Sequence, residues 1–268
     1  YFLRFDDKPS ARIIALPAAI KGDKPVSGIK WIASYPENTH HNLQRASAVL
    51  ILNDYETGYP IALLEASQIS AIRTAASCVL AAQLLSKEKH MKRLAVIGAG
   101  LIARSILDYL RTQQWEISEV VIHALSLEDS QNLATFCESF CQEIHLVSDA
   151  SSAIRSASHV VLATTAAAPY LHQMDLLSPG QIVFNISLRD LAPQLLLGAF
   201  NLFDDVEHCM KAATSPHLAE QLTGGRNFVN GTLAQVIQGY LAVDRTRPII
   251  FSPFGLGILD LAVGRYLL

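Results

Sequence analysis

Two cations in this chain sit in apolar surroundings, two acids lie further along it, and one glycine pair follows a short apolar run. Lys30 lies mid-strand between Ile29 and Trp31. A lysine there either snorkels from an edge or is held for chemistry. Desolvation would lower its pKa, so that it could act as a base or grip a carboxylate. Arg73 lies in Ala71-Ile-Arg-Thr-Ala-Ala76, otherwise small and apolar. A guanidinium on a buried face needs an anion. That anion is either a ligand or a carboxylate of the chain, with Glu65 and Glu56 the nearest choices. Asp190, in Asn185-Ile-Ser-Leu-Arg-Asp190, follows an apolar strand segment, where open α/β sheets gather their reactive groups. A surface acid is the alternative. Asp260 lies in the last helical stretch, after Ser252-Pro-Phe-Gly-Leu-Gly257. Nine histidines are scattered without metal-ligand spacing, so no metal site is expected.

The glycines belong to Arg93-Leu-Ala-Val-Ile-Gly-Ala-Gly-Leu-Ile-Ala-Arg104. The apolar run Leu94–Ile97 ends in Gly98-Ala99-Gly100, with Ala103 in the third slot. This is the G-x-G-x-x-A form of a dinucleotide-binding strand, turn and helix. Gly98 permits the turn, and Gly100 lets backbone approach a diphosphate. The helix that follows would aim free N–H groups at the phosphates. At the end of the second strand, where an acid often binds ribose hydroxyls, stand His123 and Ala124. NAD is the expected coenzyme, with NADP left open.

These groups need a frame. Residues 1–54 read as strands, including Arg12–Pro17, Ser27–Ser34 and Ser47–Asn53; Asp54–Gly58 turns into Tyr59–Leu64, which makes an antiparallel hairpin. Glu65–Leu85 changes to helical period. The polar stretch Ser86–Lys92 is the expected boundary between a first domain, 1–88, and a second, 89–254. From Arg93, strands alternate with helices: Leu94–Ile97, Val120–His123, Ile144–Val147, Val160–Ala163, Ile182–Asn185 and Leu202–Asp204. Leu127–Phe140 and Ala150–Ala157 are among the helices. The pattern predicts an α/β chain: a doubly wound parallel Rossmann sheet beside a smaller, largely antiparallel α+β domain. Leu218–Leu241 reads as helix interrupted at Gly224-Gly225, and Pro248–Ser252 as a late strand. Gly255–Leu268 reads as an apolar helix packing back on the first domain.

Half of the 268 residues are hydrophobic, 17% are charged and the net charge is −3. That balance gives no footing for nucleic acid, since basic residues are scattered. No apolar run approaches the roughly 18 residues needed to cross a bilayer, so no membrane partner is expected. Cys78, Cys137, Cys141 and Cys209 form no C-x-x-C pair. Cys137 and Cys141 fall on one expected helix, which suits packing better than a bridge. Free thiols point to a reducing, cytoplasmic compartment.

The segments Gly28-Ile-Lys-Trp-Ile32, Ala48–Asp54, Pro60–Ala66, Ile72–Ala76 and Val96–Gly100 together resemble the ornithine cyclodeaminase/μ-crystallin family. The resemblance covers nearly the whole chain, and several tens of residues of the family's N-terminus are expected to be missing ahead of Tyr1. Arg12–Pro17, Ser27–Ile32 and Arg45–Asp54 are most like the family's siderophore-pathway branch. The resemblance implies NAD-dependent oxidative cleavage of a diaminopropionate–glutamate conjugate to L-2,3-diaminopropionate and 2-oxoglutarate. It implies that Arg4, Lys30 and Arg73 hold the amino-acid substrate, and that Lys30 and Asp190 are catalytic. It further implies that Thr74, Gly98, Gly100, Leu101 and Ile102 hold phosphates. Thr164, Thr165, Asn185, Ser252, Phe254 and Gly255 would surround adenine and nicotinamide. A homodimer formed through the antiparallel domain is also implied. Two departures stand out. Ile14-Ala15 replaces the cyclodeaminase's Glu, which argues against ornithine, and Ala124 replaces the branch's Asp. An ornithine cyclodeaminase or imine reductase, and a non-catalytic μ-crystallin-like binding protein, are the alternatives.

Overall fold

The computed structural model describes residues 1–187 and 189–268. It divides into two compact units, Tyr1–Thr74 with Gly255–Leu268, and Ala75–Phe254.

The first unit is a five-stranded antiparallel meander: β1 (Phe2–Phe5), β2 (Lys8–Ile20), β3 (Val26–Ser34), β4 (Ala46–Asp54) and β5 (Pro60–Glu65), in that order across the sheet. A 3-10 turn, Pro36–His41, joins β3 and β4. Pro17 is tolerated inside β2 because β1 pairs only up to Ile14, which leaves that part of β2 beyond the reach of β1. Alternation gives the sheet two different faces. On one, Val26, Ala48, Leu50 and Leu52 pack with Ala66, Ile69 and Leu261. Leu261 comes from α9 (Gly257–Tyr266), whose buried positions Gly257, Asp260, Leu261 and Gly264 make one helical stripe. A Cβ on Gly257 would stand 2.7 Å from the Leu16 carbonyl oxygen, so only glycine lets the helix lie this close to β2. The opposite face exposes Trp31, Val49, Ile61 and Leu63.

Helix α1 (Ser67–Leu85) carries the chain out of this unit. The division falls inside it, between Thr74 and Ala75, and not in the polar stretch after it. The reason is packing: Ala75, Cys78, Val79, Ala81, Ala82 and Leu85 all belong to the core of the second unit. The helix also departs from the expectation of no membrane-length apolar segment. Its 19 residues, with mean hydropathy 1.2, are long and apolar enough to cross a bilayer, although 56% of that stretch is buried in the protein. Arg73, the glutamines and the serines break the apolar run without lowering its mean below that of a spanning helix.

The second unit is an eight-stranded sheet with every pairing parallel. Its strands are β6 (His90–Ile97), β7 (Glu116–His123), β8 (Cys141–Leu146), β9 (His159–Leu162), β10 (Ile182–Asn185), β11 (Phe200–Phe203), β12 (Val229–Thr232) and β13 (Ile249–Ser252). The order β8-β7-β6-β9-β10-β13-β11-β12 reverses direction at β6 and β9, the switch point of a doubly wound sheet. Helices α2 (Leu101–Thr112), α3 (Leu127–Cys137), α4 (Ala150–Arg155), α5 (Pro193–Leu197), α6 (Val206–Cys209), α7 (Ser215–Thr223) and α8 (Leu233–Ile237) connect the strands. Successive residues of β6 feed different cores: Leu94 and Val96 one, Ala95 and Ile97 the other. Covering on both faces explains why β9, β10, β11 and β13 are buried at every position.

Two local expectations change. Val229–Thr232 lies inside a stretch expected to be helical, yet forms edge strand β12, and the Thr232–Gln235 capping box starts a shorter α8. Helix α3 ends at Cys137 and β8 starts at Cys141, so these free cysteines do not share a helix.

Candidate functional site

In the first unit the chemistry gathers around Lys30. Pairing places Lys30 between Leu16 of β2 and Leu50 of β4, on the face that α9 covers. Its side chain is 1% exposed. Nζ lies 2.7 Å from Asp260 Oδ2 and donates to Ser70 Oγ at 3.2 Å. Arg73 Nε donates to Asp260 Oδ1 at 3.3 Å, and its Nη2 reaches Ser70 Oγ at 3.4 Å. One buried carboxylate thus meets two cations, one on each oxygen. Burial, then the neighbouring Arg73 charge, pushes the Lys30 amine down to about 8, against the upward pull of Asp260.

Arg73 therefore finds its acid on α9, not at Glu65 or Glu56; the Glu65 carboxylate accepts the backbone N–H of Ser67 at 2.7 Å. Gly255 guards the arrangement. At φ +103°, a Cβ there would stand 2.5 Å from the guanidinium of Arg73. Thr74 is buried and its hydroxyl donates back to the Ser70 carbonyl at 2.7 Å. Arg4 is not brought to this cluster. It is exposed on β1 opposite Arg12, 6.0 Å over the Phe2 ring. It stands two strands away from Lys30 and about 13 Å further along the sheet.

In the second unit the glycine turn joins β6 to α2. Gly98 has φ +97°, its N–H donates to the His123 carbonyl at 2.8 Å, and a Cβ would lie 2.5 Å from the Ala163 carbonyl oxygen. Gly100 is the N-cap of α2, with no side chain capping the helix and open space where a Cβ would be. The first helical bond runs from Arg104 N–H to the Gly100 carbonyl, so the N–H groups of Leu101, Ile102 and Ala103 are left for an acceptor outside the helix. That is a site for an anion that backbone can approach closely. At the end of β7, His123 Nδ1 meets the Val147 carbonyl oxygen at 3.1 Å, and Ala124 follows.

After β9 and β10 come the other expected residues. Asp190 is fully buried; it accepts from the Thr164 hydroxyl at 2.5 Å and from the Tyr170 hydroxyl at 3.3 Å. Burial raises its carboxyl above the usual range, against the hydrogen bond from Thr164. Tyr170 is pushed up in turn by burial and by the nearby carboxylate. Thr165 is exposed. Asn185 Nδ2 donates to Ser252 Oγ at 2.9 Å, and both side chains line a small cavity with Cys209 and Phe254. Asn185 Oδ1 is buried and has no partner among the described residues.

The sequence reading did not assign Asp260, Ser70 or Tyr170 to the site. Asp260 did carry a signal: an acid in an apolar helix needs a cation, the converse of the argument made for Arg73. Ser70 and Tyr170 carried none.

Known proteins share this architecture. The chain is 34% identical over 261 residues to N-((2S)-2-amino-2-carboxyethyl)-L-glutamate dehydrogenase of Staphylococcus aureus, covering 94% of this chain and 76% of that protein. The solved Δ1-pyrroline-2-carboxylate reductase of Thermococcus litoralis, in complex with NADH and L-proline, superposes with a TM-score of 0.89. It is 23% identical, over 100% of this chain and 85% of that one. An archaeal alanine dehydrogenase dimer with bound NAD superposes at 0.85 with 26% identity, over 99% and 82% of the two chains. Residues 2–268 match a single family pattern, and the chain belongs to the ornithine cyclodeaminase/mu-crystallin family.

Proposed function

We propose that the chain is an NAD-dependent oxidoreductase acting at a carbon–nitrogen bond of an amino acid. We further propose that its substrate is N-(2-amino-2-carboxyethyl)-L-glutamate, cleaved oxidatively to L-2,3-diaminopropionate and 2-oxoglutarate in siderophore biosynthesis. The observation that carries the reading is the pair of cations, buried Lys30 and partly buried Arg73, arranged about one buried carboxylate. An amino-acid substrate brings the carboxylates that such a pair receives. The substrate itself is favoured by the 34% identity to the Staphylococcus aureus dehydrogenase.

The residues present fit the coenzyme. The uncapped start of α2, with Gly98, Gly100, Leu101 and Ile102, suits a diphosphate. The unpaired Asn185 Oδ1, with Ser252, suits an amide donor such as the nicotinamide carboxamide. Thr74, Thr164, Thr165, Phe254 and Gly255 complete the coenzyme contacts in this reading. When bound, NAD supplies an acceptor for the hydride leaving the substrate Cα. Arg73 and Lys30 orient the substrate through a carboxylate. Asp190, its carboxyl raised toward neutrality, holds or releases a proton at the oxygen facing Tyr170. Arg4 is assigned a distal carboxylate of the substrate. The unit of Tyr1–Thr74 and Gly255–Leu268 is the substrate and dimer domain, and Ala75–Phe254 is the coenzyme domain. A second copy covers the exposed Trp31, Val49, Ile61 and Leu63 face.

Absorbance at 340 nm tests the reaction. Growth of NADH together with 2-oxoglutarate is expected from the conjugate, and its absence under saturating conditions refutes this substrate. Proline and ammonia from ornithine, with no net NADH, would instead identify a cyclodeaminase. Light scattering tests the dimer, which a monomer would refute.

A further inference from the structure

We propose that Asp260 is the positioning residue of the substrate pocket: its two carboxylate oxygens hold Lys30 and Arg73 in register for one bound carboxylate. The inference rests on the reading of that pair as the substrate's carboxylate receptor, and it adds a residue outside that assignment.

The geometry is specific. Oδ2 takes the Lys30 ammonium at 2.7 Å and Oδ1 takes Arg73 Nε at 3.3 Å. Asp260 is fully buried in the first turn of α9. A short side chain reaches β3 from there only because the helix lies close to the sheet. Gly257 and Gly264 make that approach possible, since a Cβ on either would meet Leu16 or Leu50 at under 3 Å. Gly255, two residues ahead of the helix, leaves room for the guanidinium. Ser70 Oγ touches both cations from α1. Three elements thus converge on one carboxylate, which touches the holders of the substrate and need not touch the substrate.

Two roles for Asp260 differ in sign. A mere counter-charge would compete with the incoming carboxylate, so Asp260→Asn would tighten binding. A positioning residue makes binding weaker when removed, because two like charges lose the group that keeps them side by side.

The test uses the intact protein labelled with 13Cε-lysine. The Lys30 resonance, assigned by Lys30→Arg, should titrate near the wild-type midpoint of about 8. In Asp260→Asn the midpoint should fall by about 1–3 pH units, because burial and Arg73 then act unopposed. Asp260→Glu should bring it back toward the wild-type value. 2-Oxoglutarate is titrated by calorimetry at a pH at least one unit below the measured Lys30 midpoint of each protein, so that the ammonium is charged in both. It should bind Asp260→Asn about tenfold or more weakly, while NADH fluorescence titrations match wild type. A folded Asp260→Asn with an unmoved midpoint, or with tighter 2-oxoglutarate binding, overturns the proposal. Should Asp260→Asn not fold, Arg73→Gln must raise the Lys30 midpoint, and an unmoved one overturns it equally. If wild type itself fails to bind 2-oxoglutarate, the substrate reading falls, while the lysine titration still judges Asp260.

Discussion

The two units handle negative charge by opposite means. In the antiparallel unit the candidate anion receptor is made of side chains: Lys30 and Arg73, held by Asp260 beneath α9. In the parallel unit it is made of backbone: the turn at Gly98 and Gly100 and the open N–H groups of α2. Side chains give a localised charge that needs a buried counter-ion and is destroyed by deleting one group. Backbone dipoles need no counter-ion and no particular side chain, only room, so they are destroyed by adding one. In the proposed reading, the first kind suits discrimination between amino acids and the second suits a diphosphate.

The sharpest break in this contrast is at Lys30. Lys30→Ala leaves a buried carboxylate with one cation instead of two, a change that costs about 3–5 kcal/mol for a buried pair. Turnover should fall by about 10²–10⁴-fold or more. NADH affinity should stay near wild type, because the backbone receptor is untouched; fluorescence titration beside steady-state rates checks the split. If coenzyme binding were lost too, the division of labour would be wrong. The reverse experiment is Gly98→Ala. The added Cβ meets the Ala163 carbonyl oxygen at 2.5 Å in a backbone conformation with φ +97°, and positive φ alone costs about 1–3 kcal/mol. NADH binding should weaken by about 10–100-fold, while the Lys30 titration stays at about 8.

The contrast also explains what the sequence could disclose. A backbone receptor leaves a local signature, because Gly98, Gly100 and Ala103 must follow one strand at fixed spacing. The same holds for the parallel strands, whose double-sided burial turns them into short apolar runs. Lys30 and Arg73 announced themselves by being charged in apolar company. Their partner lies 187 residues beyond Arg73, and no spacing rule links α9 to β3. Only the stripe of small residues Gly257, Gly264 and the lone acid between them hinted at it. Arg4 rests on family pattern alone, which places it with the substrate, while register puts it opposite Arg12, away from Lys30. Strand β12 was invisible because four residues at a sheet edge, Val-Asn-Gly-Thr, carry neither an apolar run nor a clear alternation.

Titration gives a third handle. His159, in the parallel unit, is buried between Ser86 and Ser158 hydroxyls at 3.0 Å each. Burial, then the neighbouring His90, lowers it from 6.5 to about 4. The unfolded chain therefore binds more protons than the folded one between those pH values, and stability rises with pH across them. This contribution is fully present above 6.5 and is lost as pH falls through about 4. It amounts to at most about 3 kcal/mol, at 1.36 kcal/mol per pH unit. Urea midpoints at neutral pH and near pH 4.5 should differ more in wild type than in His159→Gln. Equal acid sensitivity would mean that the imidazole is not held neutral by burial.

The smallest expected effect tests whether the backbone receptor is truly indifferent to side chains. At the end of β7 the chain offers His123, with Nδ1 against the Val147 carbonyl, and then Ala124, where an acid would fix a ribose hydroxyl and repel a 2′-phosphate. With alanine at that position, no carboxylate of residue 124 repels a 2′-phosphate. Ala124→Asp supplies one. A carboxylate about 4 Å from a phosphate, partly screened by solvent, is worth about 1–2 kcal/mol, so NADPH should bind roughly tenfold more weakly. NADH should change little, since the glycine turn and α2 are unaltered. Parallel fluorescence titrations of the two coenzymes measure the ratio directly. An unchanged ratio would place the adenosine end elsewhere than beside β7, and selectivity would then have to come from backbone alone.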